Sequence, residues 1–358
     1  MISKARTRAI ILLKPKPDII PAFTNALNHY KIDSRLDYKI LTPDTFTLDP
    51  FKATPNTNNP IANTDQETLK EDQNQDVEII GINWGTPELI EQLLEAHPNV
   101  RWIHTFFAGV DSYMTPKIKS HPSVLTNTKN VYSEALAEFV SFAMLWFAKR
   151  GQKWIEDKNA KKWDPSSIFM LKGKTLGIVG LGNIGVECAR IAKNGYGMRV
   201  LGVKKRPEKK IGVEVDQLVD EILGFDGLDY VLKESDYVLN VLPMTASTAK
   251  LFDLGLFEKM GSEAVFLNIG RGGTVNEADL EQALKTGAIK GAYLDVFDQE
   301  PLSAESGLYE LDNVLLTPHC ANTYAEIQDN NVKVFSGLLD QYLGEEPFEY
   351  FVDKDLGY

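Results

Sequence analysis

Two doubly wound α/β domains, each built on a parallel sheet, are what this 358-residue sequence predicts. Three observations predict them. Short apolar runs alternate with amphipathic stretches almost throughout, the pattern of repeated βα units. The alternation falls into two series, one ahead of residue 130 and one starting near residue 173. The length suits two cores rather than one.

In the first series, "RAIILL", "YKILT", "EIIGIN", "RWIHTF" and "VLTN" read as strands, with helices expected at about 17–30 and 86–96. Residues 48–75 are polar, rich in Asn, Thr and Asp, and nearly free of large apolar groups. Such a stretch cannot bury enough surface to offset its ordering entropy, so a surface loop or disordered insertion is expected there. "ALAEFVSFAMLWFA", Ala135–Ala148, is broken by Glu138 and too short to span a bilayer, so a buried helix is expected. The second series runs through "GKTLGIVG", "RVLGV", "SDYVLNVLP", "AVFLNIG", "GAYLDVF" and "VLLTPH". The last stretch carries Val332, Phe335, Leu338, Leu339 and Tyr342 at helical spacing. The expected domains are 1–130 plus 323–358, and 131–322, joined near Val131–Ser133 and Ala321–Thr323. Two crossings leave a cleft between domains, where ligands usually sit.

Charge and cysteine content narrow the partners. A formal net charge of −12 argues against non-specific binding to nucleic acid or anionic membranes. Two cysteines, Cys188 and Cys320, are too few for a disulfide framework and suit a reducing, cytoplasmic location. The apolar run near the N-terminus is too short for a signal-peptide core and reads as a first strand. His29, His97, His104 and His121 lack paired metal-ligand spacing, so no metal site is expected.

The sharpest local signal is "TLGIVGLGNIGVECARIA". Gly180, Gly182 and Gly185 have G-x-G-x-x-G spacing after an apolar strand, and a helix opens from Ile184 onward. Gly180 allows the tight turn, Gly182 lets the backbone approach a pyrophosphate, and Gly185 lets helix and strand pack closely. The unpaired N–H groups of the helix start suit phosphate. A second strand, Val200–Val203, follows. NAD specificity needs an acid about 20 positions past the loop, yet Lys204, Lys205 and Arg206 stand there. Those cations suit a 2′-phosphate, so NADPH is expected ahead of NADH, with NADH use still possible. A basic run is more often a solvated turn, and only its position lifts this one above that reading.

Three later strand ends each present one ionisable residue beside glycine or proline. These are Arg271 in "IGRGG", Glu300 in "DQEPL" and His319 in "TPHCA". Singly, each is more often a surface ion-pair or loop residue. Together, after a dinucleotide loop, they suit reduction of a 2-oxo acid. Histidine can protonate the carbonyl oxygen as hydride arrives. Glutamate beside it would stabilise the imidazolium, and arginine can hold the carboxylate and polarise the carbonyl.

With these motifs the sequence resembles the D-isomer-specific 2-hydroxyacid dehydrogenase family, which includes glyoxylate/hydroxypyruvate reductases. The resemblance runs from about Glu78 to Tyr342 through "RWIHTFFAGVD", "LTNTKNVYSEALAEFV", "LKGKTLGIVGLGNIG", "VLPMTAST", "LNIGRGGTVNEADL", "LDVFDQEPL" and "LLTPHCANT". It implies a Rossmann-type nucleotide domain and a flavodoxin-like substrate domain. It also implies that Arg271 binds carboxylate, Glu300 partners the histidine and His319 is the acid/base. By the same carry-over Asp295 holds the nicotinamide carboxamide. Val241, Leu242, Pro243, Thr248, Ile269 and Gly270 line the cofactor. In "FFAGVD", Phe107, Ala108 and Gly109 should meet substrate, the last two through their N–H groups. The family commonly dimerises through the nucleotide domain, and Leu136–Phe147 resembles the helix used. Two readings stand for Phe106–Phe107: packing, or contact with a 2-oxo acid larger or more apolar than glyoxylate. Cys320 reads as core. The alternative to an enzyme is a nucleotide-sensing, corepressor-like binding protein with little turnover.

Overall fold

In the computed structural model, residues 7–13, 23, 25–27, 29, 32, 35–41, 77–208, 215–348 and 351–357 are described. The polar stretch 48–75 and Lys209–Lys210 lie outside them. Of the helix expected near 17–30, only Phe23, residues 25–27 and His29 are described, and these are helical. The chain divides into two compact units, Met1–Val131 with Ala325–Tyr358, and Tyr132–Tyr324.

The first unit holds a parallel sheet of β1 (Thr7–Leu12), β2 (Leu36–Leu41), β3 (Val77–Ile82), β4 (Trp102–Thr105) and β5 (Val124–Asn127). Their order is β2-β1-β3-β4-β5, the flavodoxin-like arrangement. Both sheet faces are covered, which is why the inner strands β1 and β3 read as near-continuous apolar runs, while the edge strand β2, LDYKIL, alternates. One face buries Ile80, Ile90, Leu93 and Ile103. The other buries Ile11, Ile79, Trp102 and Phe106 against the helix Ile327–Leu343. That helix returns to the first unit with Phe335 stacked on Trp102, ring centroids 5.4 Å apart. The helix Pro87–Ala96 starts where expected because Thr86 caps it, accepting from the Leu89 N–H.

The second unit holds β6 (Thr175–Val179), β7 (Arg199–Val203), β8 (Glu221–Leu223), β9 (Tyr237–Asn240), β10 (Val265–Asn268), β11 (Gly291–Leu294) and β12 (Val314–Leu316). The order is β12-β11-β10-β9-β6-β7-β8, all parallel. The sense of winding reverses between β6 and β9, the switch point where doubly wound sheets bind nucleotides. β8 was not foreseen. It is a three-residue edge strand inside an acidic, helix-like run, and so short a pairing leaves no period to read.

A helix, Ser133–Ala148, stands where a buried one is expected, and its burial is partial. Leu136, Ala137, Val140, Ala143 and Met144 are buried, but Phe142 is 45% exposed. A sequence apolar on both faces shows that a face is suited to burial, and it does not show what covers that face.

Candidate active site

The glycine loop leaves β6 through Gly180 at φ +110°, a conformation side chains resist. A Cβ there would also lie 2.8 Å from the Val241 carbonyl. A Cβ on Gly185 would meet the Gly180 oxygen at 2.6 Å, so these two glycines are required by packing. Gly182 differs. It precedes the helix Asn183–Arg190 with no side-chain cap, and a Cβ on it would meet nothing within 4 Å. Open space at an uncapped helix start is the cradle a pyrophosphate needs, so these residues fit a dinucleotide. Asn183 is exposed beside it and Ile184 is half-buried.

The basic cluster sits next to this loop through main-chain atoms. The Val203 carbonyl accepts from the Gly180 N–H at 3.0 Å and the Leu181 N–H at 3.2 Å. Lys204 follows immediately and donates its own N–H to the Leu223 carbonyl of β8. Lys204 is half-buried, and Lys205 and Arg206 are exposed.

Past β9, Val241 and Pro243 are half-buried while Leu242 and Thr248 are buried. The Thr248 hydroxyl donates to the Pro243 carbonyl at 2.7 Å and fastens that turn. Past β10, Ile269 is buried, and a Cβ on Gly270 would lie 2.8 Å from the Leu242 oxygen, so the two turns touch. Arg271 comes next, half-buried, with Nη1 donating to the Gly270 carbonyl at 2.9 Å. A Cβ on Gly272 would fall 1.9 Å from the Phe297 carbonyl carbon. The arginine turn is thus pressed directly onto the loop that carries Glu300.

Glu300 receives the Phe297 N–H on Oε1 at 3.0 Å and meets His319 Nδ1 with Oε2 at 2.7 Å. A carboxylate on Nδ1 makes that nitrogen the donor, which leaves Nε2 as the nitrogen able to exchange a proton with a ligand. His319 itself sits at φ +49°, in the left-handed region that side chains rarely occupy. Its N–H donates to the Asp295 carbonyl at 2.8 Å. The Asp295 carboxylate, 1% exposed, accepts from the Thr317 hydroxyl and from the N–H groups of Cys320 and Ala321. Asp295 therefore anchors the histidine loop, a duty the sequence did not reveal. Cys320, expected in the core, is only half-buried. Burial, then the nearby Asp295, pushes its thiol up.

In the first unit the "FFAGVD" turn resolves one ambiguity. Phe106 is 1% exposed and packs edge-on to His104 and against Phe335, so it is core. Phe107 is half-buried and stacks on Tyr113, centroids 6.1 Å apart. The Tyr113 hydroxyl donates to the Gly85 carbonyl at 3.2 Å. Ala108 is exposed and Gly109 half-buried. Asn127, at the end of β5, donates Nδ2 to the Ala108 carbonyl at 2.5 Å. Across a trans peptide the Gly109 N–H then faces the opposite way. His104, wholly buried, bonds Thr126 Oγ1 through Nδ1 at 2.8 Å, and burial pushes its pKa down to about 3. It is a neutral core residue.

Known proteins resemble this chain in sequence and fold. Residues 141–321 match the family described as D-isomer specific 2-hydroxyacid dehydrogenase, NAD binding domain. A glyoxylate/hydroxypyruvate reductase B from Escherichia coli (strain SMS-3-5 / SECEC) is 33% identical over 294 residues, covering 78% of this chain and 89% of that protein. A D-isomer specific 2-hydroxyacid dehydrogenase family protein from Aeromonas salmonicida superposes with a TM-score of 0.74 at 26% identity, covering 98% of this chain and 100% of that one. An NADPH-dependent glyoxylate/hydroxypyruvate reductase from Sinorhizobium meliloti, solved with NADP and sulfate, shares the fold. Its TM-score is 0.77 at 24% identity, covering 99% of this chain and 100% of that one. The chain belongs to the D-isomer specific 2-hydroxyacid dehydrogenases, NAD(P)-dependent enzymes acting on the CH–OH group of their donors.

Proposed function

We propose that this chain reduces a 2-oxo acid to the D-2-hydroxy acid with NADPH. One observation carries the reading: the 2.7 Å bond between His319 Nδ1 and Glu300, at strand ends of the sheet that bears the glycine loop. When bound, the dinucleotide supplies the hydride. Gly180, Gly182, Asn183, Ile184 and Gly185 hold its pyrophosphate, and Lys204, Lys205 and Arg206 its 2′-phosphate. Val241, Leu242, Pro243, Thr248, Ile269 and Gly270 line it, and Asp295 offers Oδ2 to the carboxamide. Arg271 binds the substrate carboxylate and polarises the carbonyl. Ala108 and Gly109 offer N–H groups to the carboxylate, and Phe107 flanks the substrate. His319 Nε2 delivers the proton to the carbonyl oxygen, while Glu300 steadies the imidazolium that does so.

The likeness to the Escherichia coli protein supports glyoxylate and hydroxypyruvate as first substrates to try. NADPH oxidation against these, pyruvate, phenylpyruvate and branched 2-oxo acids tests the reading, with the product's configuration assigned. Tight NADPH binding with no turnover on any of them would favour a nucleotide-sensing binding protein instead. A homodimer is supported by apolar groups left open on the second unit, including Phe142, Trp154, Ile155, Trp163, Phe169 and Met170. Light scattering tests it. Among the described residues no helix is long and apolar enough to cross a membrane, and both cysteines are unpaired, which supports a reducing, cytoplasmic location.

A further inference from the structure

Three neutral polar side chains are sealed inside the second unit, two at the ends of β9 and β10 and one in the turn Gly272–Thr274. Asn240, Asn268 and Thr274 are each at most 1% exposed. Asn240 and Asn268 are direct neighbours in the sheet register. Asn240 Nδ2 donates to Asn268 Oδ1 at 3.0 Å and to Thr274 Oγ1 at 2.7 Å. Asn240 Oδ1 accepts the Leu242 N–H, and Asn268 Oδ1 accepts the Gly270 N–H. What remains of the network converges on one atom, the Arg271 carbonyl oxygen. It accepts from the Thr274 hydroxyl at 2.6 Å, from the Thr274 N–H at 3.2 Å and from Asn268 Nδ2 at 3.4 Å.

Buried polar side chains are tolerated only when satisfied, and apolar residues could end these strands more cheaply. The turn Gly272–Thr274 already gives the Arg271 carbonyl a main-chain partner, so the hydroxyl is an addition. We propose that Thr274, backed by Asn240 and Asn268, is a positioning residue for Arg271. The inference rests on the reading of Arg271 as the group that binds the substrate carboxylate. Fixing the carbonyl fixes the peptide plane that follows the Arg271 Cα, and with it one of the two backbone constraints that set the direction in which the side chain leaves. A tilt of roughly 10° at Cα carries a guanidinium roughly 6 Å away through about 1 Å, a misplacement that can cost about 10²-fold in rate.

The test compares wild type, Thr274→Val, Thr274→Ser, Arg271→Ala and the double variant Arg271→Ala/Thr274→Val. Each is read by KM and kcat for glyoxylate and hydroxypyruvate, NADPH Kd by fluorescence, and Tm. Thr274→Val removes the hydroxyl at constant shape and should lower kcat/KM by on the order of tenfold. NADPH Kd should stay within about threefold, and Thr274→Ser should restore the wild-type values. In the Arg271→Ala background the valine should change nothing further, because the group it positions is gone. If the valine variant is not recovered folded, Thr274→Ala gives the same reading with less crowding of the Asn240 amide. Wild-type kinetics in Thr274→Val beside a crippled Arg271→Ala overturns the inference. So does a valine effect that persists once Arg271 is removed. Normal KM and turnover in Arg271→Ala overturns the arginine reading itself.

Discussion

Gly182→Ala separates a glycine kept for a ligand from glycines kept for the fold. At φ −98°, ψ −163°, residue 182 is in extended backbone that alanine adopts readily. Its new Cβ meets nothing within 4 Å. The folded chain therefore loses nothing, and the unfolded chain loses entropy worth about 0.4–1 kcal/mol. The apo Tm should hold or rise by about 1–4 °C. The methyl would stand in the open space above the helix start, where it keeps a phosphate from the main-chain N–H groups. Losing one charge-assisted hydrogen bond costs about 1.5–3 kcal/mol, so NADPH Kd should rise about 10- to 150-fold. Gly180→Ala and Gly185→Ala should do the reverse first, lowering the apo Tm, because their Cβ atoms meet backbone at 2.8 and 2.6 Å. Fluorescence titration and ligand-free thermal denaturation read both quantities. An unchanged Kd in Gly182→Ala, or an apo Tm as low as that of Gly180→Ala, would refute the cradle.

His319→Ala should lower kcat by at least about 10²-fold with NADPH Kd nearly unchanged; near-normal turnover would exclude His319 as the acid. Replacing Lys204, Lys205 and Arg206 together by alanine should cut kcat/KM for NADPH by about 10-fold or more and leave NADH little changed; equal losses with both cofactors would refute the 2′-phosphate assignment. His104 is held neutral in the fold, with a pKa near 3 against an ordinary 6.5. Below pH 6.5 the unfolded chain binds the proton and the folded chain does not, so stability is full above 6.5 and falls toward pH 3, by at most about 1.4 kcal/mol per pH unit. His121, also shifted down by burial, adds the same sign. Urea unfolding at pH 7 and 5 should show a smaller pH difference for His104→Asn than for wild type, and identical differences would remove His104 as the source.

Much of the fold was legible because its strands are short, apolar on both faces and ended by glycine, proline or a capping residue. Turns such as Ile269–Gly273 and Thr317–Ala321 announce themselves by composition, and the ionisable residues between those markers stand out. What stayed hidden is side-chain to main-chain bonding. Asn127 on the Ala108 carbonyl, Asp295 on the histidine loop and Thr274 on the Arg271 carbonyl each join segments 3 to 26 positions apart. Nothing in a strand's periodicity says where the polar residue at its end will point. The same limit separates Phe106 from Phe107, adjacent and chemically identical, one in the core and one half-exposed. Both lie in the bend past β4, where no strand alternation assigns either ring a side, and only the packed structure separates them.

The Val203 carbonyl ties the glycine loop to the start of the basic cluster with backbone atoms alone. Any residue can supply those atoms. Side chains at 204–206 can therefore be exchanged without touching the main-chain bonds that tie the glycine loop to β7. With the 2′-phosphate held by 204–206 as proposed, cofactor choice becomes a trait separable from the rest of the site, open to redesign at a handful of surface codons.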